Sequence, residues 1–357
     1  MFYRQAGIRH TSYKADTQAL PIPFDRVQLG IVLLLAVSAP LWISKLYLNG
    51  YLLPWVIWGT ATLGLNLLMG WAGQVHLGYG AVMAIGAYTS IHLMRIGLPF
   101  ELVLVGSGLA SAVIGLIFGA AALRVKGLYL AVSTLALQFV IDWVLVHISA
   151  ISGGVAATLQ APYPRVLGVK VESDIGLYYL ALAWCMIVTV FMINLKRSGL
   201  GRALVAVREK DYAAEILGIS AFYYKGVAFW CSSFLGGVTG AMLGFTFYRA
   251  ITPYMFNLEV SIRVLAMVII GGLGSVIGSF MGAGLILLTP IILNNLVNWA
   301  AVSLGITISV TILNYLPLIL YGGLIVSFLL VEPLGLAKIY DNLRNYFLVW
   351  PFSYAKR

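Results

Sequence analysis

From Val27 to Leu330 the sequence is a succession of apolar runs, each close to the length at which a helix crosses a bilayer. A hydrocarbon core about 30 Å thick takes about 20 residues of helix. Every backbone polar group in that core must be paired internally, which helices do within one segment. The runs lack period-two alternation, so barrel strands are excluded. Only 10% of the residues are charged and 61% are hydrophobic, against about 25% charged in soluble domains. The fold class is therefore all-α: a polytopic membrane helical bundle.

Ten helices are expected, near Val27–Tyr47, Leu52–Met69, Val75–Met94, Leu102–Leu123, Leu128–His147, Gly176–Leu195, Tyr224–Phe247, Val264–Met281, Gly284–Ala300 and Ile306–Leu330. The run from Val264 to Ala300 also admits one span plus a re-entrant piece. An even count puts both termini on one side. Charge gives the same answer. Arg4, Arg9, Lys14 and Arg26, then Arg124 and Lys126, then five Lys/Arg from Lys196 to Lys210, then Lys338, Arg344, Lys356 and Arg357 all fall on one side of the ten-span scheme. The positive-inside rule makes that side cytoplasmic. The expected organisation is a cytoplasmic N-terminal extension (1–26), a membrane domain (27–332) and a cytoplasmic C-terminal tail (333–357). The membrane domain holds an external loop (149–175) and a cytoplasmic segment (196–222). The N-terminus lacks a cleavable-signal pattern, so the first helix is expected to be retained.

The formal net charge of +10 sits mostly at the ends of apolar runs, as topology requires, and is no nucleic-acid signature. Cys185 and Cys231 lie inside apolar runs and define neither a disulfide framework nor a metal spacing. No Gly-x-x-x-x-Gly-Lys-Ser/Thr loop, His-Glu-x-x-His or Gly-x-Ser-x-Gly pattern occurs, so neither nucleotide hydrolysis nor a hydrolase site is expected in this chain. The segment from Lys196 to Ala221 is basic and helical in pattern, and it is the main soluble element between the apolar runs. Such an element is expected to dock on a partner. Ala213, Ala214 and Glu215 suit a short helix, and Gly218 suits its C-terminal stop.

Membrane helices associate by close contact, which small residues four apart permit. Three rows show this spacing: Ser107, Ser111, Gly115 and Gly119; Gly236, Gly240 and Gly244; Gly274, Gly278 and Gly282. Packing within the chain and packing between subunits are both compatible with them. Glycine is dense from Gly64 to Gly86, interleaved with Asn66, Gln74 and His76, and predicts a break or tight turn that either lines a pathway or is a compact connection. Thr134, Gln138 and Asp142 share one face of the fifth helix. They are expected to face a translocation path or to bond between helices. Glu101, Glu259 and Arg263 are expected near helix ends.

Five separated motifs carry a resemblance. They are Gly64-Leu65-Asn66-Leu67-Leu68 with Gly70, Ala72-Gly73-Gln74 and Leu77-Gly78; Lys126-Gly127-Leu128-Tyr129-Leu130-Ala131 with Thr134-Leu135-Ala136; Ser198 to Ile219; Gly271-Gly272-Leu273-Gly274-Ser275 with Gly278 and Gly282-Ala283; and Tyr321-Gly322 with Pro333 and Gly335-Leu336. Together they resemble the permease subunits of bacterial ABC importers for branched-chain amino acids, of the LivM type. His76 stands where that family usually has serine, and Ser279 where proline is common. The resemblance implies a multi-pass protein of the bacterial inner (plasma) membrane. Its implied partners are a second homologous permease, two cytoplasmic ATP-binding subunits that use ATP and Mg, and a periplasmic solute-binding protein. It implies ATPase coupling through Arg202, Arg208, Glu209, Ala213, Ala214, Glu215 and Gly218, with Arg202 and Arg208 pairing with acidic groups on the partner. Other solutes of the same importer class (urea, short amides), an ion-coupled carrier and a membrane scaffold stay open on the sequence.

Overall fold

The computed structural model describes residues 23–123, 128–154, 157–304, 310–332 and 334–349. The Arg124–Lys126 turn, Pro333, most of the N-terminal extension and the last eight residues lie outside them.

Among the described residues the long helices are, in chain order, α1 (Pro23–Trp42), α2 (Lys45–Trp71), α3 (Tyr79–Arg95), α4 (Phe100–Leu123), α5 (Leu128–His147), α6 (Asp174–Arg197), α9 (Ala221–Tyr248), α10 (Leu258–Gly271), α11 (Val276–Leu304) and α12 (Val310–Val331). Eight of these segments are long and apolar enough to cross a membrane by length and composition. Between α6 and α9 lie two short helices, α7 (Gly199–Glu209) and α8 (Asp211–Ile216), and after α12 comes α13 (Gly335–Val349).

One boundary differs from expectation. The chain does not break between Met281 and Gly284; it breaks at Gly272–Ser275, and α11 runs on through Gly282 and Ala283. Gly272 (φ +112°) and Gly274 (φ +83°) adopt backbone open to glycine, and apolarity continuous across the break hides it from a hydropathy reading. Gly274 is therefore a turn residue and does not share a helical face with Gly278 and Gly282.

The core forms around α9, flanked by α3 and α4, with α2, α10 and α11 completing it. Backbones meet where glycine allows. A Cβ on Gly86 would strike the carbonyl of Gly237, one on Gly240 the carbonyl of Met83, and one on Gly119 the ring of Phe229 at 2.7 Å. Gly115 faces Ser233, Gly236 faces Tyr79 at 3.0 Å, and Gly244 faces Ile251 at 2.7 Å. Gly278 and Gly282 both pack on the end of α10. These glycines serve packing inside the chain, where close approach stands in for a hydrophobic drive that lipid does not supply.

The segment 149–175 carries a short helical turn (Ser149–Ser152) and three two-residue strands. Leu159–Gln160 pairs antiparallel with Ala250–Ile251 after α9, and Arg165–Val166 pairs with Val169–Lys170 through a turn at Leu167 and Gly168. At the opposite end, Arg344 of α13 grips Asp25 of α1 from Nε (2.9 Å) and Nη2 (2.5 Å), and the Tyr340 hydroxyl donates to Gln28 Oε1 (2.8 Å). The first and last described helices thus meet at one end of the bundle.

Candidate functional site

That same end, where α2 finishes and α7 begins, holds the basic segment. Ser198 makes the corner. Its Oγ donates to the Leu195 carbonyl (2.7 Å) and accepts from the Gly201 amide (3.3 Å), closing α6 and opening α7. Gly201 is required at the corner because a Cβ would strike the Leu195 carbonyl. α7 buries Gly201, Ala203, Leu204 and Val207 against the bundle and leaves Arg202 exposed. Extended backbone at Lys210 (φ −152°, ψ 98°) separates it from α8.

α8 ends as the sequence predicts. Gly218 takes φ +82°, and the Ile219 amide reaches back to the Ala214 carbonyl (2.9 Å). Ala214 is buried with Val207 and Ala221, so its small side chain is used for contact within the chain. Ala213, Glu215 and Glu209 are exposed. The outer surface of this element is apolar in a way the sequence reading missed: Tyr212 is 77%, Ile216 70% and Leu217 78% exposed, with Phe222 and Tyr223 beside them at the start of α9. The signal was present, since four of these five residues flank or follow the helix stop, but the basic residues of the segment drew the reading to charge.

Arg208 lies the other way. Its Nη1 donates to the carbonyl of Gly70 (2.5 Å), and its stem packs over Gly73, where a Cβ would sit 3.0 Å from Cγ. The guanidinium also lies 4.0 Å from Glu209. Arg208 is thus engaged by its own bundle, while Arg202 donates to the Arg197 carbonyl (3.0 Å). Gly70 belongs to a π-turn, Leu67–Trp71, that ends α2. Such turns release carbonyls from the regular ladder.

From there a polar chain runs inward. Asn66 Oδ1 accepts from the Gly274 amide (2.7 Å), and its Nδ2 donates to the Ser275 carbonyl (2.9 Å) and to Ser279 Oγ (2.8 Å). Trp71 Nε1 donates to the Gly274 carbonyl (3.2 Å). The glycine-rich stretch after α2 is irregular from Ala72 to Gly78, as expected, and Gln74 and His76 are buried in it. The Gly78 amide donates to His76 Nδ1 (3.0 Å), and the ring stacks on Phe229 at 5.1 Å. The Leu77 amide donates to Thr134 Oγ1 (3.0 Å). Gln138 fills all four places of its amide. Oε1 accepts from the Ala81 amide (2.8 Å) and Ser261 Oγ (2.8 Å), and Nε2 donates to Asp142 (2.9 Å) and the Phe256 carbonyl (2.8 Å). Thr134 and Gln138 have almost no accessible surface, and only Asp142 on that face is half-exposed. These residues knit α2, α3, α5, α10 and α11 together. Among the described residues, no three His, Cys, Asp or Glu side chains gather as metal ligands would.

The fold is a multi-helix membrane bundle with a folded element at one end that presents an apolar surface outward. The chain belongs to the family described as branched-chain amino acid transport system / permease component, whose profile matches residues 47–331. The high-affinity branched-chain amino acid transport system permease protein LivM of Salmonella typhimurium is 31% identical over 303 residues, covering 77% of this chain and 66% of that protein. LivM of Escherichia coli K12 is 30% identical over 341 residues, covering 87% of this chain and 75% of that protein. The permease protein LivH of Salmonella typhimurium is 25% identical over 244 residues, covering 63% of this chain and 77% of that protein. No solved structure matches the chain significantly.

Proposed function

We propose that this chain is one permease subunit of an ATP-driven importer that carries branched-chain or related hydrophobic amino acids across a bacterial inner membrane. Its partners on this reading are a second homologous permease, two ATP-binding subunits that use ATP and Mg on the cytoplasmic side, and a solute-binding protein on the outer side. The observation that carries the proposal is the α7–α8 element, with Tyr212, Ile216 and Leu217 exposed outside the membrane span and Arg208 fastened to the end of α2. Exposed apolar groups of this kind mark a protein or membrane contact, and we take this one to be a protein contact. Basic charge on the same side supports its cytoplasmic placement.

On this reading α7 and α8 receive the motion of the ATP-binding subunits. Arg202, Glu209, Ala213 and Glu215 flank the contact, while Arg208, Ala214 and Gly218 hold the element's shape. Asn66, Gln74, His76, Thr134, Gln138 and Asp142 form the wall behind the translocation pathway and carry the motion to it. The test is purification of the tagged protein from its native membrane, followed by reconstitution of what comes with it. ATP-dependent leucine uptake into vesicles by a complex containing a nucleotide-binding subunit is the expected result. Uptake that depends on an ion gradient and ignores ATP overturns the proposal.

A further inference from the structure

Arg263 stands one turn inside the start of α10, whose first turn holds Glu259. It lies eight residues before Gly271 on α10, about 12 Å above the break at Gly272 for a rise of 1.5 Å per residue. Its guanidinium is 5.9 Å from the ring of Trp58 and 6.0 Å from the ring of Tyr321. Trp58 is thirteen residues from the coupling end of α2, and Tyr321 is ten from the end of α12, about 20 and 15 Å. All three groups therefore sit in the middle of the bundle's thickness. One turn further along α10, Glu259 accepts from Arg263 Nη2 at 2.6 Å.

The pair is partly exposed, Arg263 to 27% and Glu259 to 36% of the side chain, on the side of α10 that carries Ile262. Arg263 Nε has no hydrogen-bond partner among the described residues. Trp58 and Tyr321 are buried and pack behind the pair, fixing its place. Beside Tyr321, Gly322 and Gly323 leave open space where a Cβ would stand. Opposite charges held open at membrane depth are costly against lipid and are found facing a water-filled or solute path.

We propose that Glu259 and Arg263, backed by the buried rings of Trp58 and Tyr321, form a mid-membrane waypoint for a zwitterionic apolar amino acid. This deepens the importer reading and rests on it. The guanidinium presents a planar set of N–H donors matched to an α-carboxylate. Glu259 takes the α-ammonium. The protein pair and the solute each sum to zero charge, so the ion pairs exchange partners without leaving a net charge in the membrane. A neutral solute such as an amide finds no use for the pair, and a singly charged one leaves the site unbalanced.

The test uses the whole importer in vesicles, with leucine as probe. Glu259→Gln/Arg263→Gln removes both charges together and leaves no lone ion buried. Leucine uptake is expected to fall at least about tenfold, the loss of one good charge-assisted hydrogen bond, while assembly and ATP hydrolysis persist. Uptake within about twofold of the parent overturns the proposal. A parent complex that shows no ATP-driven uptake of leucine, isoleucine or valine overturns the importer reading itself, which is a separate outcome. Should the double variant fail to assemble, Ile262→Cys in a background with Cys185 and Cys231 replaced by Ala decides instead. Labelling by a water-soluble thiol reagent that leucine slows supports the waypoint; a cysteine that stays unlabelled places this face in lipid and removes it.

Discussion

Arg208→Met separates the docking of α7 from its presence. The substitution keeps the apolar stem over Gly73 and removes the donor to the Gly70 carbonyl, now 2.5 Å away. A hydrogen bond from a charged donor contributes about 1.5–3 kcal/mol. The Arg208 side chain is 38% exposed, so solvent competes, and about 1–2 kcal/mol is the appropriate figure. That weakens the docked arrangement of α7 on α2, against the loosened one, by a factor of about 5–30. Val207 and Leu204 still bury fully, so the element stays folded and the ATP-binding partner still attaches. The expected signature is uncoupling: leucine moved per ATP hydrolysed falls severalfold in vesicles holding the complete complex, while hydrolysis continues. Arg208→Lys is expected to fall between, because an ammonium reaches as a point charge without the planar fork. An unchanged ratio of leucine moved to ATP consumed in Arg208→Met refutes the view that this bond transmits motion.

Asn66→Ala strips three hydrogen bonds and strands the Gly274 amide; at about 0.6 kcal/mol per bond, as measured between membrane helices, the cost is about 2 kcal/mol. A lowered melting temperature of the purified protein in detergent checks this. Gly86→Val places its branch into the Gly237 carbonyl with backbone on both sides, so no folded protein is expected in the membrane, read by yield and protease resistance. Gly218→Ala meets nothing within 4 Å but must hold φ +82°, so a loss of about 1 kcal/mol, mild enough to leave assembly intact, is expected by thermal shift. Leu217→Glu puts a charge on the exposed apolar surface without touching the bundle, and is expected to abolish recovery of the ATP-binding subunit while leaving insertion unchanged.

Apolar run lengths made the helical bundle legible, because lipid leaves the backbone so few choices. The break at Gly272–Ser275 was obscured because hydropathy is blind to φ, although Gly-Gly-Leu-Gly carried the signal. The stop at Gly218 was readable because it depends on local backbone chemistry alone. Period and spacing put Thr134, Gln138 and Asp142 on one face, but spacing gives no direction. That Gln138 turns inward to Ser261 and the Phe256 carbonyl depends on how α10 crosses α5, which only tertiary packing sets. The depth of Arg263 was hidden for the same reason: it is fixed by Trp58 and Tyr321, distant in sequence. Arg208 looked like a partner's contact because its acceptor is a backbone carbonyl, and no residue type announces one.

The most direct test is a photo-crosslinking amino acid placed at Leu217 of the full-length protein in its native membrane. Capture of a subunit that binds and hydrolyses ATP is the predicted product, with the yield changing when nucleotide is trapped. Crosslinks to lipid alone, with the ATP-hydrolysing subunit present in the same membrane, contradict it.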